Sequence, residues 1–334
     1  AASRAVYRHG EMGRLFNPAS IAVIGASPRA GSFADRTVQA LKDFTGRLYL
    51  VNSRYEKIGE RACFPSIAAL PEVPDCCILV VAKDAVEEIA TECAKAGVGG
   101  IMIYASGFSE TGRDADIAAQ LRLAQIGRDA GMRIVGPNCI GMLNFGSKAG
   151  VTFMIPPPME KPLPHAIGLV SQSGALGFSL AQSVMRGVSV SHLLTTGNSS
   201  DVDVADCVSF LADDPGCSAI ACVFEGMPDP MRFIQAAEVA DAANKPLVVF
   251  KLGTDEAGAA AAMSHTGSLA GEQAAYLAAF ERAGAVVVKD FEALVETAAF
   301  LAKAPPPRAR GVAVVAVSGG AAIMSADKAE AHGV

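Results

Sequence analysis

Short β-branched runs alternate with helical patterns along most of the 334 residues, and this alternation constrains the fold more than any other feature of the sequence. Strands that alternate with helices form βαβ units, in which the strands lie parallel within one sheet. Ligands of such sheets bind at the carboxyl ends of the strands. The pattern therefore predicts an α/β fold and directs attention to the loops that follow strands.

The first half of the chain predicts one such domain. Its buried strands are predicted at Ile21–Gly25, Leu48–Asn52, Cys77–Ala82 and Gly99–Tyr104, with helices at Phe33–Leu41, Ala85–Lys95 and Asp114–Ala130. The five prolines of Ile155–Pro164 exclude a helix interior or a central strand there. We therefore predict an N-terminal extension at residues 1–14, a first domain at 15–147 and a proline-rich linker at 148–165.

The alternation restarts after the linker and predicts a second doubly wound domain at residues 166–304. Its strands are predicted at Ile167–Val170, Val190–Thr195, Ala219–Phe224, Pro246–Lys251 and Ala285–Val288, and its helices at Ala175–Arg186, Val202–Ala212, Pro230–Ala243, Glu272–Ala283 and Phe291–Ala302. A strand at Gly311–Val317, a glycine turn and a helix to His332 follow. These last elements are too few to bury a core, so residues 305–334 are predicted to begin a third α/β domain that is truncated.

Composition excludes several classes of protein. Hydrophobic residues make up 51% and charged residues 19%, with a mean hydropathy of +0.33, which excludes a disordered chain. We expect no membrane helix, because no apolar run approaches about 18 residues. The net charge of −6 and the lack of a basic block argue against nucleic acid as a partner. The eight cysteines lack zinc spacing, and no export signal is visible, so we expect no metal and a cytoplasmic protein with reduced thiols.

The first glycine loop, within Ile21–Gly31, suggests a nucleotide-like ligand. A strand that runs through a tight turn into a helix can hold a phosphate with backbone N–H groups. The dinucleotide fingerprint is incomplete, since Ser27 and Ala30 occupy its second and third glycine positions. Arg54 lies just past the second predicted strand, Leu48–Asn52, where NAD-binding domains usually have an acidic residue. A cation there suits a ribose phosphate, so coenzyme A (CoA) or NADP is favoured over NAD.

The loops of the second domain predict phosphoryl chemistry. The turn Ser171–Gly174 opens a helix and is a candidate anion site, Thr196–Asn198 forms a second such turn, and Glu225 follows a strand. His265 lies among small polar residues that leave room for a ligand. A carboxylate that holds one imidazole nitrogen leaves the other free to attack. Without a G-x-S-x-G elbow, this combination favours a phosphohistidine site over a hydrolase triad.

Seven segments, in order, resemble the NDP-forming acyl-CoA synthetases and, more distantly, the α subunit of succinyl-CoA synthetase. They are VIGAS (Val23–Ser27), SGFSETG (Ser106–Gly112), GPNCIG (Gly136–Gly141), SQSGALG (Ser171–Gly177), TGNSSDVD (Thr196–Asp203), FEGM (Phe224–Met227) and SHTGSLAG (Ser264–Gly271). The resemblance runs from about Leu15 to the last residue. It implies a Rossmann-like CoA-binding domain followed by a flavodoxin-like domain.

The resemblance also assigns roles to residues. His265 matches the transiently phosphorylated histidine and Glu225 the carboxylate that steadies it. Phosphate binding is implied for Ser171, Gln172, Ser173, Gly174, Gly197, Asn198, Thr266 and Gly267. CoA binding is implied for Gly25, Ser27, Pro28, Asn52, Arg54, Val81, Lys83, Ser106 and Gly107, and substrate lining for Asn138 and Cys139. The chain departs from the family at Ser53, where V-N-P is usual, and at Thr254-Asp255, where Arg-Ser is usual.

Such enzymes convert a small carboxylic acid, CoA and ATP into acyl-CoA, ADP and phosphate through an acyl phosphate and the phosphohistidine. ATP or ADP with magnesium binds to an ATP-grasp domain or β subunit that this chain lacks, and the resemblance implies an oligomer. Two alternatives remain open at this point. One is a CoA-sensing regulatory module without its own ligase activity, and the other is an NADP-dependent oxidoreductase.

Overall fold

The structure, a computed structural model, describes residues 4–253, 273–305, 308–309 and 311–334. The chain divides into two compact units, Ala1–Ala302 and Lys303–Val334. The first unit contains two seven-stranded sheets. No helix among the described residues is long and apolar enough to cross a membrane.

The first sheet has the strand order β3-β4-β2-β1-β5-β6-β7. Its strands are β1 (Ser20–Ile24), β2 (Arg47–Val51), β3 (Lys57–Ile58), β4 (Arg61–Phe64), β5 (Cys76–Leu79), β6 (Gly100–Ile103) and β7 (Arg133–Val135). The accompanying helices are α1 (His9–Phe16), α2 (Phe33–Ala40), α3 (Lys83–Ala96) and α4 (Asp114–Ala130). Apart from β3, which is antiparallel to β4, the strands are parallel and follow the order of dinucleotide-binding sheets. The Rossmann-like prediction is confirmed.

Continuous apolar sequence explains why the central strands form. Every residue of β1 (SIAVI), β5 (CCIL) and β6 (GIMI) is buried, as expected for parallel strands that helices cover on both faces. Local signals fix the helices between them. Ser32 caps α2 by accepting a hydrogen bond from the N–H of Asp35, and left-handed Gly131 ends α4.

The second sheet has the order β14-β13-β12-β10-β11-β8-β9. Its strands are β8 (Gly141–Asn144), β9 (Ala149–Thr152), β10 (Ile167–Ser171), β11 (Val190–Thr195), β12 (Ala219–Phe224), β13 (Leu247–Lys251) and β14 (Val286–Val288). Its helices are α5 (Gly174–Ala181), α6 (Val204–Asp213), α7 (Met231–Ala242), α8 (Gln273–Arg282) and α9 (Phe291–Lys303). The five strands from β10 to β14 are parallel and have the flavodoxin-like order, which confirms the second prediction.

Two features differ from the sequence-based outline. Strands β8 and β9 pair with each other and, through β8, with β11, so residues 141–152 join the second sheet on both sides of the boundary predicted at residue 147. Helix α1 spans the predicted end of the N-terminal extension at residue 14. Its Phe16 is fully buried and lies 5.1 Å from the ring of Phe210 on α6, because the helix covers apolar surface of the second domain.

The second unit contains helix α10 (Gly319–Ala331), capped by Ser318. The strand predicted at Gly311–Val317 is not formed. Val315 and Val317 in this segment are fully exposed. An isolated strand is unstable without a neighbour that satisfies its backbone hydrogen bonds, and the described part of this unit supplies none.

Candidate functional site

The first candidate loop leaves the first sheet where the direction of the strand order reverses, between β1 and β5. Gly25 has φ +85°, and a Cβ there would lie 2.3 Å from the carbonyl oxygen of Val80. Its N–H donates to the carbonyl of Val51 at 2.9 Å. Only glycine fits this turn between two neighbouring strands. Ser27 and Pro28 follow in its outer part, where a ligand can reach the backbone.

Asn52 joins this loop to the one after β2. Its Nδ2 donates to the carbonyl of Ala26 at 2.8 Å, and its Oδ1 accepts from the N–H of Arg54 at 2.9 Å. Arg54 itself is exposed. The structure thus places the predicted cation beside the glycine loop, at the carboxyl edge of the sheet.

Lys83 connects the loops after β5 and β6. It is the first residue of α3, forms an ion pair with Asp116 and lies with its Nζ 5.4 Å from the ring centroid of Phe108. The hydrogen bond from Lys83 lowers the pKa of Asp116. A Cβ on Gly107 would lie 3.2 Å from Lys83 Cδ, so the two residues are in contact. Ser106, beside Gly107, is exposed. Val81, which follows β5, lies next to the glycine turn, since a Cβ at Gly25 would lie 2.9 Å from its side chain. All nine residues predicted to bind CoA therefore follow strands at one edge of the first sheet.

The second candidate loop follows β10, where the strand order of the second sheet reverses between β10 and β12. Ser171 Oγ donates to the carbonyl of Ser173 at 2.6 Å. Ser173 caps α5 by accepting from the N–H of Leu176. A Cβ on Gly174 would lie 2.7 Å from Ile140, so the beginning of α5 contacts the segment after β7 of the first sheet.

Gln172 contacts the loop that carries Glu225. Its Oε1 accepts from the N–H groups of Glu225 at 2.6 Å and Gly226 at 3.0 Å, and its Nε2 donates to the carbonyl of Gly226 at 2.7 Å. Glu225 is 7% exposed. The family resemblance implies a phosphate contact for Gln172, which stays a prediction; in the structure its amide is bonded to protein backbone. This contact could have been predicted from the strand order, because Gln172 and Glu225 each follow one of two neighbouring strands, β10 and β12.

The loop after β11 connects the two sheets. Gly197 has φ +55°, and a Cβ there would lie 2.6 Å from the carbonyl of Pro137, which follows β7. Asn198 Nδ2 donates to Glu110 at 2.5 Å and to Gln120 at 2.9 Å, both in the first domain. The side chain of Asn198, predicted to contact phosphate, therefore bridges the domains. The sequence did not identify Glu110 or Gln120.

Asn138 and Cys139 lie in the segment between the sheets. Asn138 is exposed, has φ +54° and donates from Nδ2 to Asn198 Oδ1 at 3.3 Å. Cys139 is 2% exposed and its Sγ donates to the carbonyl of Thr195 at 3.3 Å. Burial raises the pKa of this thiol to about 11, although the contact with Thr195 opposes the shift. Such a thiol is a poor nucleophile at neutral pH.

The predicted residues His265, Thr266 and Gly267 lie outside the described residues. The described part of the site therefore consists of two sets of loops at sheet edges. Glu225, the beginning of α5 and the turn at Gly197 belong to the second sheet. The beginning of α5 and the turn at Gly197 contact the segment that follows β7 of the first sheet, and Asn198 contacts the loop that follows β6.

Sequence comparison separates the same two regions. The profile of the CoA binding domain family matches residues 19–144, and that of the succinyl-CoA ligase like flavodoxin domain matches residues 164–301. Each range contains the parallel strands of one sheet.

Similar proteins include acetate–CoA ligase [ADP-forming] II subunit alpha of Pyrococcus furiosus, 34% identical over 322 residues, which cover 96% of this chain and 69% of that subunit. Acetate–CoA ligase [ADP-forming] I of Archaeoglobus fulgidus is 36% identical over 324 residues, 97% of this chain and 46% of the relative. The chain thus spans about half the length of that relative. Among solved structures, a dinucleotide forming acetyl-coenzyme A synthetase 1 of Ca. Korarchaeum cryptofilum, in complex with phosphate and ADP, is similar with a TM-score of 0.88 and 32% identity, over 97% of this chain and 69% of that one.

Proposed function

Because this chain belongs to the family of ADP-forming acetate–CoA ligase α subunits, we propose that it is the CoA-binding and phosphohistidine portion of an NDP-forming acyl-CoA synthetase. The complete enzyme converts a carboxylic acid, CoA and ATP into acyl-CoA, ADP and phosphate. The reaction proceeds through an acyl phosphate and phosphorylated His265.

One observation carries this proposal: the carboxyl edges of the two sheets meet. Asn198, after β11, contacts Glu110, after β6, and Gly197 contacts Pro137, after β7. In doubly wound sheets the ligand lies at this edge, where the strand order reverses. CoA held by the first sheet is thereby brought to the loops that we assign to the phosphoryl group.

The residues of the second sheet suit a phosphoryl group. The first turn of α5, at Ser173 and Gly174, offers backbone N–H groups and the positive end of the helix dipole. The transfer needs a carboxylate to hold one imidazole nitrogen of His265 so that the other can attack phosphorus, and we assign this role to Glu225. In the direction of acyl-CoA synthesis this nitrogen attacks the γ-phosphorus of ATP: the P–N bond forms, the P–O bond to ADP breaks and ADP leaves. The carboxylate of the acid then attacks the phosphorus, the P–N bond breaks, and acyl phosphate and free histidine form. The CoA thiol finally displaces phosphate from the acyl group.

The other parts of the enzyme belong to the proposal as well. An ATP-grasp domain or β subunit binds ATP or ADP with magnesium, and the assembly is an oligomer in the cytoplasm. The length of the Archaeoglobus relative and the subunit naming of the Pyrococcus relative support a further nucleotide-binding part. All eight cysteines are free and buried, which fits a reducing compartment.

The two alternatives are less well supported. A regulatory CoA-sensing module needs neither Glu225 nor His265, yet both are present and Glu225 is held by Gln172. An NADP-dependent oxidoreductase is disfavoured by the match of residues 19–144 to a CoA-binding family.

Two measurements test the proposed function. The complete enzyme, given ATP labelled in its γ-phosphoryl group, should form an acid-labile phosphoenzyme that His265→Ala abolishes. Calorimetric titration of this chain with CoA and with NADP should give binding of CoA alone. A labelled His265→Ala enzyme, or selective binding of NADP, would contradict the proposal.

A further inference from the structure

Two side chains bond the backbone of Glu225 and Gly226. Gln172 accepts from both N–H groups and donates to the Gly226 carbonyl, at distances between 2.6 and 3.0 Å. Lys251 Nζ donates to the Glu225 carbonyl at 2.6 Å and also to that of Leu252. The two N–H groups and the two carbonyl groups of Glu225 and Gly226 thus each have a side-chain partner.

The sheet topology explains this arrangement. Strand β12 ends at Phe224 with β10 on one side and β13 on the other. Gln172 directly follows β10, and Lys251 is the last residue of β13. Where β12 ends, its peptide groups lose regular ladder partners and need others, since a buried unpaired N–H or C=O is costly. The neighbouring strands supply one side chain each.

A buried lysine is an unusual donor for a hydrogen bond that serves stability alone. Lys251 is 5% exposed, and its Nζ lies 5.7 Å from the ring centroid of Phe224 and 5.3 Å from that of Tyr276. Burial lowers the pKa of this amine, whereas the negative charge of Glu225 opposes that shift. The ammonium group therefore belongs to the electrostatic surroundings of the Glu225 carboxylate.

We propose that Gln172 and Lys251 are positioning residues, which fix the backbone of Glu225 from both sides and so hold its carboxylate in place for the phosphoryl transfer. This inference rests on the proposed function. Neither side chain needs to touch the phosphoryl group or the substrate. A catalytic group that is misplaced by about 1 Å can lower a rate about 100-fold, so the bonds to backbone matter for the chemistry.

The test uses Gln172→Leu and Lys251→Met in the complete enzyme, with rapid-quench measurement of phosphohistidine formation. Each variant should slow this step by about 100-fold. The KM for CoA should stay within about twofold, because the CoA loops belong to the other sheet. The matched control is Lys245→Met. Lys245 also donates from Nζ to two carbonyls, those of Leu211 and Asp214, but precedes β13 at its amino end, so this variant should keep the parental rate.

A double variant separates positioning from general stability. Combined with Glu225→Gln, Gln172→Leu should cause little further loss of rate, because its effect passes through Glu225. A full additional 100-fold loss in the double variant, or a parental rate in both single variants, would overturn the inference. If Gln172→Leu lowers the Tm strongly, Lys251→Met provides the same comparison. A parental rate in Glu225→Gln would instead contradict the proposed function itself.

Discussion

Asn198 donates from Nδ2 to the carboxylate of Glu110 at 2.5 Å, and this hydrogen bond joins the two sheets. Glu110 also accepts from the N–H groups of Gly107 and Phe108, so it organises the loop predicted to hold CoA. Gln120 Oε1 accepts a second hydrogen bond from Asn198 Nδ2, at 2.9 Å. The conformation of one candidate CoA loop is therefore coupled directly to the second domain.

Asn198→Asp should disrupt this link, because it places a second carboxylate against Glu110. Loss of the donor and like-charge repulsion should lower the free energy of unfolding by about 2 kcal/mol, measured by urea titration. CoA affinity, measured by calorimetry, should fall as well. Adding Glu110→Gln should restore part of the stability, because the new amide can donate to the introduced carboxylate but no longer accepts from the N–H of Phe108 on that side. Equal stability of Asn198→Asp and the parent would show that the contact is not formed in solution.

The two glycines of the first loop allow a matched comparison. Gly25 and Gly31 both have positive φ, at +85° and +73°, but only at Gly25 would a Cβ meet a neighbouring backbone atom. We expect Gly31→Ala to cost about 1 kcal/mol in unfolding free energy, from the left-handed backbone alone. Gly25→Ala should cost about 3 kcal/mol, because strain and the clash with Val80 add.

CoA affinity provides the second readout for these variants. Gly25→Ala should weaken binding at least tenfold in a calorimetric titration, whereas Gly31→Ala should keep it within about threefold. Similar losses of stability and affinity in both variants would argue against the close approach of this turn to β5.

Cys139 should be chemically inert in the folded protein. With a pKa of about 11, about one thiol in 10,000 is ionised at pH 7, and the side chain is 2% exposed. Iodoacetamide should therefore leave Cys139 unlabelled in the native protein and label it rapidly in urea, as followed by peptide mass spectrometry. Cys139→Ala should still form the phosphoenzyme. Rapid alkylation of the native protein would show that this thiol is reactive in the folded state.

His192 should make the protein less stable in mild acid. It is 5% exposed, and burial lowers its pKa to about 4, with nearby Asp214 opposing and His9 reinforcing the shift. Its Nε2 donates to Asn17 Oδ1 at 2.9 Å, and Nδ1 has no hydrogen-bond partner among the described residues. The folded protein therefore keeps this imidazole neutral, whereas the unfolded chain protonates it below about pH 6.5.

Proton uptake by the unfolded chain determines how the free energy of unfolding changes with pH. Between pH 6.5 and about 4 the unfolded state binds more protons, so stability is present at neutral pH and is lost as the pH falls. From pH 7 to pH 5, His192 should account for about 2 kcal/mol of this loss. Urea unfolding of the parent and of His192→Gln at pH 7 and at pH 5 measures this loss of stability. The inference about His192 fails if the variant loses as much stability in acid as the parent.

Sequence patterns located the central elements because their signals are local. Helix α4 and strands β11 and β12 have the predicted bounds, since α4 ends at left-handed Gly131 and β12 is a continuous apolar run. Strands β8 and β9 were missed because their sheet is fixed by a distant partner, β11, and not by their own sequence. The hydrogen bonds of Gln172 to the backbone of Glu225 and those of Asn198 to the first domain were not predicted, for the same reason, and the phosphate contacts of both residues stay predictions. A loop's residue types suggest a ligand, but only the packing of neighbouring strands decides whether a side chain faces a ligand or another loop.

The hairpin of β8 and β9 also has a consequence for folding during synthesis. The chain makes β8 and β9 before β11, the strand with which β8 pairs. Domains generally fold from the N-terminal side as they emerge, so the first sheet can form before β11, the strand that pairs with this hairpin, has been synthesised. Until β11 emerges from the ribosome, the apolar side chains of Met142, Leu143 and Val151, which are buried in the finished protein, lack their final cover. The nascent protein is therefore most open to aggregation, or to capture by a chaperone, after its first domain has folded and before its second begins.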